Sequence, residues 1–463
     1  MLIGTHSRHR KGEDGVRKKA TIAVALLAAC TLSGCSIGDV ETQLRAPRPT
    51  GEQQQIQQAL DAYITRAGAA REYVLKFPQD GEYLSAFAME DVDGDGEDEA
   101  IAFYQFSGES EQTHIHLLDK VGGEWQSVAD REGFSTDISG VAFGDLDGDG
   151  TKELLAGWSV YNSRDRRLAV YSLTDDAITV RSDDQYYTHL VVDSLVQTGR
   201  DDLLLFQLDS TRNVATVRLK TLEKKGLVER GQARIDGYIR TFGAHRVGKL
   251  AEGLYGLYID GYKDADTTIT ELIYWDGSQL HTPFYSSADN ITSMTARQTP
   301  IPSMDVDGVG GRDSQVEWPR CTRLPGYETA QASQSQWLTQ WMAWNYDTQQ
   351  EQRLFASVVS MSDGYYLLIP DDWLDSGRNA WGGTVTATYD SSRRQLQLRP
   401  YRDGKSGDAF LSVRVGTDEE LADAPGERLE IVDSDGNRVR YQVEYDTEYA
   451  LDKEKVQYLI RPL

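Results

Sequence analysis

The chain has 463 residues, of which 73 are acidic and 48 basic, for a formal charge of -25. A surface this acidic repels phosphate backbones and anionic headgroups, which excludes nucleic acid as a partner and a basic patch as a membrane anchor. The length exceeds what one hydrophobic core usually organises, and three cysteines are too few to staple it.

The N-terminus reads as an address. Arg17-Lys18-Lys19 is followed by an apolar stretch, Ala20 to Leu32, too short for a permanent membrane-spanning helix. It ends in Leu32-Ser33-Gly34-Cys35, which resembles the bacterial lipobox. That resemblance implies a lipoprotein signal peptide over 1–34, with the Cys35 thiol lipidated and becoming the new N-terminus. Leu27-Ala28-Ala29-Cys30 fits the same pattern; Cys35 leaves the longer apolar stretch and is followed by a polar spacer. Residues 35–55, with Pro47, Pro49 and three successive glutamines, read as a flexible tether. Residues 56–82 begin with an amphipathic helix, about Ile56 to Ala70, that places Ile56, Leu60 and Ile64 on one face before a lead-in segment. Cleavage at Cys35 leaves only Cys321 as a thiol, so no intrachain disulfide is expected. A large exported protein without disulfides suits a Gram-positive cell surface. The expected location is the extracellular face of the cell membrane, reached through the lipid.

Two near-identical acidic loops follow. Asp91-Val92-Asp93-Gly94-Asp95-Gly96-Glu97-Asp98-Glu99 and Asp145-Leu146-Asp147-Gly148-Asp149-Gly150-Thr151-Lys152-Glu153 carry carboxylates at positions 1, 3, 5 and 9, with glycine at position 6. Three alternate Asp side chains on a tightly turning backbone can converge on one point, and hard oxygen ligands in this number suit Ca²⁺. An EF-hand would need a bidentate Glu at position 12, where Ala102 and Ala156 stand. The runs after the loops, Ala100 to Phe106 and Leu154 to Trp158, are short, apolar and aromatic, as buried strands are.

The loop recurs about every 50 residues with decay, as stacked repeats do. Asp193 to Asp202 keeps only the end acids, and Gly248 to Gly253 has lost the ligand pattern. Asp305-Val306-Asp307-Gly308-Val309 restores Asp305 and Asp307, with Asp313 at position 9, but Val309 replaces the third Asp, so a weak site is expected. Hairpin turns come about 30 residues after each of the first four loop starts, at Gly122-Gly123, Asp175-Asp176, Lys224-Lys225-Gly226 and Asp276-Gly277. Each repeat would then hold four strands, the loop joining the first two and the hairpin the last two. In the fifth repeat, Trp337 to Trp344 fits either a strand or a short helix, since Trp337, Trp341 and Trp344 fall at i, i+4 and i+7.

An acid at position 9 leading directly into a strand resembles the FG-GAP/VCBS-type calcium loop of integrin-like β-propellers. Taken whole, the chain resembles FG-GAP/VCBS repeat lipoproteins of clostridial-type bacteria. The resemblance implies Ca²⁺ held by Asp91, Asp93, Asp95, Glu99 and the Glu97 carbonyl, and by Asp145, Asp147, Asp149, Glu153 and the Thr151 carbonyl. The expected fold is mainly β: a propeller of about five four-stranded blades over 83–360, then an antiparallel α+β domain over 361–463. In the latter, Asp433-Ser434-Asp435-Gly436-Asn437 lies between strand-like runs and reads as a hairpin turn.

Nothing resembles a catalytic signature: no Gly-x-Ser-x-Gly elbow, no His-Glu-x-x-His, no Walker loop and no dinucleotide fingerprint. His114 and His116 share a strand face, and no third metal ligand is visible beside them. No catalytic residue is assigned. The expectation is a calcium-stabilised, lipid-anchored surface binding protein without catalytic activity, for an unidentified protein or glycan ligand. The alternative is a cell-surface hydrolase acting on polysaccharide or cell-wall material.

Overall fold

The computed structural model describes residues 51–66, 72–108, 112–174, 176–264, 266–306, 313–433 and 436–463. Cys30, Cys35, the signal segment, most of the tether and Asp307 lie outside them. The chain divides into two units, residues 1–62 and 63–463. Helix α1 (Glu52–Arg66) forms where the amphipathic pattern predicts, four residues earlier at each end, and buries Ile56, Leu60 and Ile64. No helix among the described residues is long and apolar enough to cross a membrane.

The rest is mainly β, in several antiparallel sheets. Sheet I contains β1 (Tyr73–Leu75), β2 (Phe87–Glu90), β3 (Glu99–Phe106), β4 (His114–Val121) and β5 (Glu124–Glu132), with β1 and β2 sharing one edge of β3. Sheet II runs β6 (Ile138–Gly144), β7 (Glu153–Ser159), β8 (Arg166–Thr174), β9 (Ala177–Tyr187). Sheet III runs β10 (His189–Asp193), β11 (Asp202–Asp209), β12 (Val214–Glu223), β13 (Gly226–Ile235). Sheet IV runs β14 (Thr241–Ala251), β15 (Leu254–Tyr262), β16 (Thr268–Trp275), β17 (Leu280–His281). In sheets II to IV, and from β2 onward in sheet I, consecutive strands pair with their sequence neighbours, and the acidic loops or their degenerate copies join the first two of each such run. The expected hairpins close at Val121 opposite Glu124 and Glu223 opposite Gly226.

These sheets pack on one another in chain order, because their second strands are apolar on both faces. Along β7, Leu154, Ala156 and Trp158 enter a core shared with Ile101 and Phe103 of sheet I. Leu155 points the other way, into a core with Leu203 and Leu205 of sheet III. Phe206 and Leu204 then meet Leu257 and Ile259 of sheet IV, whose Tyr258 and Leu272 meet Trp318 and Met342. A strand buried on both faces cannot alternate polar and apolar residues, which explains the continuous apolar runs in the sequence.

Sheet V holds β18 (Trp318–Arg323), β19 (Trp337–Asn345), β20 (Gln350–Ser360) and β21 (Tyr365–Ile369). The Trp337 to Trp344 run is thus a strand. Trp341 and Trp344 fall on its two faces and enter different cores, the separation a period of two demands. Sheet VI holds β22 (Thr384–Asp390), β23 (Gln395–Arg402), β24 (Lys405–Ser406), β25 (Leu411–Val415), β26 (Glu427–Val432) and β27 (Arg438–Tyr445), the last two joined by the expected turn, Val432 opposite Arg438. Helix α2 (Lys453–Leu459), capped by Asp452, and β28 (Ile460–Pro462) end the chain. One pairing crosses the expected domain boundary at 360/361. β20 pairs with β21, and β21 pairs with β28, so sheet V includes strands from both sides of that boundary.

Candidate functional site

The two full loops fold alike. Gly94 and Gly148 at position 4, and Gly96 and Gly150 at position 6, all take positive φ between 81° and 93°, where a side chain would be strained. The first Asp of each loop organises the turn: Asp91 accepts from the N–H groups of Gly94 (2.8 Å) and Gly96 (3.2 Å). Asp145 does the same with Gly148 (2.7 Å) and Gly150 (3.0 Å). The closing acid turns inward. Glu99 is 3 % exposed and Glu153 1 %. One oxygen of each accepts the N–H of the second loop residue, Val92 or Leu146, at 2.9 Å.

Asp91, Asp93 and Glu99 each offer an oxygen within 4.8 Å of the others, and Asp145, Asp147 and Glu153 do likewise. Both acidic groups can hold a metal ion. Glu99 Oε1 is fully buried without a hydrogen-bond partner, an arrangement that costs free energy unless a cation meets it. Burial, and then the carboxylates of Asp93, Asp119 and Asp95, push the Glu99 carboxyl up to about 7 against the Val92 N–H that lowers it. Burial likewise raises Glu153 to about 7. A divalent ion would reverse this preference for the neutral form. Asp95 and Asp149 stand outside the converging sets, each accepting from the backbone N–H two residues on, Glu97 (2.8 Å) and Thr151 (2.9 Å).

The loops also join sheets. Lys152 N–H donates to Val92 carbonyl (2.8 Å), and Asp201 N–H to Asp145 carbonyl (2.7 Å), so successive loops are hydrogen-bonded in series. Order in one loop is therefore felt by the next.

In the third acidic loop the acid that plays the part of Glu99 is Glu317, not Asp313. Glu317 is fully buried, immediately precedes β18 and accepts the Val306 N–H at 3.1 Å. Asp313 instead takes the Tyr255 hydroxyl (3.0 Å) and lies 3.7 Å from the Lys249 ammonium. An insertion shifts the closing acid four residues later. The signal that identifies it is an acid directly before a strand, not a fixed count from Asp305. Sheet III keeps the same acid, Asp202, on the Val196 N–H (2.7 Å), with the metal-facing carboxylates gone.

His114 and His116 do come together, on a shared carboxylate. Their Nδ1 atoms lie 2.9 and 3.0 Å from Asp130, which also accepts the Tyr104 hydroxyl (2.8 Å). Burial alone would raise Asp130, but these three bonds hold it down at about 2.

A second feature, missed from the sequence, is a polar cleft of about 800 Å³ at the opposite end of sheets II to IV. It is lined by Asp80, Ser139, Ser159, Arg164, Asp165, Arg166, His189, Arg240 and Phe242 among others. A smaller cavity of about 210 Å³ shares Asp80, Arg166 and His189 and adds Glu82, Tyr83, Tyr187 and His245. Strand β6 runs from Ser139 in the cleft to Gly144 beside the second loop, so cleft and loop are separated by roughly 17 Å at the usual strand rise. No loop carboxylate lines either space. Arg166 pairs with Asp80 at 2.9 Å. Burial would raise the Asp80 carboxyl, but this partner holds it below the usual carboxylate range. Asp165 accepts from Gln207 (2.6 Å). His189 stacks on Phe242, centroids 4.9 Å apart, and its buried Nε2 has no partner. Burial, then the neighbouring His245, lower His189 to about 4, so the ring is neutral and Nε2 is either an unused acceptor or an unused donor.

No family model matches the chain, and no curated protein matches it. Among solved structures, the chain is similar to the rhamnogalacturonan lyase YesW (11% identity, 72% of this chain and 69% of that one, TM-score 0.27). It is also similar to a Bacillus licheniformis rhamnogalacturonan lyase (10%, 73% and 90%, TM-score 0.25). A third is an exo-β-1,3-galactanase from Phanerochaete chrysosporium (9%, 85% and 92%, TM-score 0.26). The expectation of a binding protein without catalytic activity is corrected here, since all of these are enzymes. Likeness at this level transfers no residue roles.

Proposed function

We propose that the chain is a surface enzyme acting on polysaccharide or cell-wall material, with Ca²⁺ in its two full loops as a structural ion. The observation that carries the reading is the cleft of about 800 Å³, lined by ionic, hydroxyl and aromatic groups, His189 among them. Guanidinium and carboxylate groups hydrogen-bond sugar hydroxyls, and an aromatic ring such as Phe242 offers an apolar face to a sugar ring. Asp80, kept ionised by Arg166, is suited to act as a base or nucleophile and unsuited to act as an acid.

The calcium loops sit away from the cleft, so the metal's task in this reading is to hold the series of loop-to-loop hydrogen bonds. Sheets I to V, each sharing a core with the next, with the acidic loop intact in the first two and degenerate in later ones, support a propeller of about five blades of the FG-GAP/VCBS type. Cys35 would tether the enzyme to the outer face of the membrane through the 35–55 spacer, which suits an insoluble or wall-bound substrate.

The test is incubation of the calcium-loaded protein with a panel of cell-wall and plant glycans, reading new reducing ends and unsaturated products. Cleavage of one class, lost in Asp80→Asn with folding retained, is expected. Absence of cleavage across the panel by a folded, calcium-loaded protein sinks the proposal.

A further inference from the structure

The two full loops are the same in sequence pattern but not in what surrounds them. β9 carries a bulge: Val170 pairs with Ser182 and Tyr171 with Val180, which leaves Arg181 unpaired and turned toward the loop. Its Nη1 lies 3.0 Å from Asp147 Oδ2, 2.8 Å from Ser172 Oγ and 3.7 Å from Glu153 Oε1. One nitrogen thus meets three oxygens, two of them from the group that converges as a metal site. A guanidinium is doing there what a bound cation would do.

Sheet I has the same bulge at the same place. Leu117 pairs with Ala129 and Leu118 with Ser127, leaving Val128 as the extra residue. The registers align: Ala100 pairs with Leu118 as Leu154 pairs with Tyr171, so Val128 is the counterpart of Arg181. By the same alignment Asp119 is the counterpart of Ser172. The first loop therefore loses a positive charge and gains a negative one. Asp119 adds its field to those of Asp93 and Glu99. Lys152, on the loop's rim, pairs with Glu90 and feels Asp91. Glu99 Oε1 keeps its buried, unpartnered position, while its counterpart Glu153 Oε1 accepts from Ser172 at 3.3 Å.

We propose that the loops are unequal cation sites: the first takes a hard divalent ion with Asp119 as an additional carboxylate facing it, and the second carries an internal cation, Arg181, that a metal must displace. Charge arithmetic gives the order of affinity. Ligand charge count tunes calcium affinity over several orders of magnitude, and the first loop exceeds the second by two units through Asp119 and Val128. Because the loops are hydrogen-bonded in series, the second can stay folded without metal. The first lacks that substitute.

This inference rests on the calcium reading above, and one experiment separates the two. The full chain, stripped of metal, is titrated with calcium by calorimetry, alongside Arg181→Val and Val128→Arg. The wild type should bind one ion at least tenfold more tightly than a second. Arg181→Val should bring the second site to within about threefold of the first, and Val128→Arg should weaken the first at least tenfold. Two equal sites in the wild type, or two variants that are folded and leave both affinities unchanged, overturn the inference while leaving the calcium reading intact. No binding in any of the three proteins overturns both. Should Arg181→Val fail to fold, Val128→Arg decides alone, since valine at that position only packs.

Discussion

Arg181 and Val128 occupy the same bulge position in successive sheets, and that single difference gives two otherwise matching acidic loops opposite electrostatic surroundings. In sheet II the guanidinium reaches Asp147 and Ser172. In sheet I an aliphatic side chain leaves the carboxylates to each other. The consequences are open to measurement.

Removal of calcium should lower the thermal midpoint. An ion bound only to the folded state contributes RT ln(1 + [L]/Kd), about 2.7 kcal/mol at a hundredfold excess over Kd. Scanning calorimetry with and without chelator should show a drop of several degrees. Asp93→Ala should remove most of it, and Asp147→Ala a smaller part. Equal effects would mean that Arg181 does not substitute for an ion.

Acid should weaken the fold through the cleft. The folded chain holds His189 down at about 4, while an unfolded histidine titrates near 6.5. Between those values the unfolded chain binds the extra proton, so stability is full above pH 6.5 and falls as pH drops toward 4. The loss is of order 2–3 kcal/mol, and His245 is shifted in the same direction. Glu99 and Glu153 titrate alike in wild type and His189→Gln, so denaturation curves of the two calcium-loaded proteins at pH 7 and pH 4.5 should differ by this amount, the variant showing the flatter dependence. An unchanged slope in that variant would place the titration elsewhere.

The Arg297–Asp260 pair should be expensive to break. Both residues are fully buried, 2.8 Å apart, with Asp260 also accepting from Thr270 (2.6 Å) and the Ser303 N–H (2.8 Å). Arg297 ties the segment before sheet V to sheet IV through Asp260 and the Thr270 hydroxyl (3.0 Å), and braces its own segment by donating to the Ile301 carbonyl (2.8 Å). Arg297→Met strands a buried carboxylate, and the cost should be about 3–5 kcal/mol by urea denaturation. A cost under about 1 kcal/mol would show that Asp260 finds another partner.

The anchor is testable separately. Cys35→Ala should leave an unprocessed precursor or release the protein from the membrane fraction. Acyl labelling that persists in this variant and disappears in Cys30→Ala would assign the lipid to the other cysteine.

The loops were legible in the sequence because ligand spacing on a turning backbone is local, and so were the strands that follow, whose apolar runs report burial on both faces. Arg181 was not legible. It faces the loop only because a bulge removes it from the ladder, and a bulge is a property of two paired strands. Glu317 was missed because the third loop is longer, so counting from Asp305 stopped at Asp313. The helical spacing of Trp337, Trp341 and Trp344 was compatible with a strand because two flanking cores, not one, take the Trp341 and Trp344 rings. The cleft escaped notice because it draws short runs from separate segments between Gln79 and Phe242, none unusual by itself. Sheet V crosses the expected boundary because strand pairing does not follow a change in composition.

The most direct test of the account is an anomalous difference map from crystals grown at low and then saturating calcium. At low calcium it predicts one peak, about 2.3–2.6 Å from oxygens of Asp91, Asp93 and Glu99, with Arg181 still on Asp147. At saturation a second peak should appear among Asp145, Asp147 and Glu153 as the guanidinium withdraws. Calcium-saturated crystals without a peak in either loop would contradict the account.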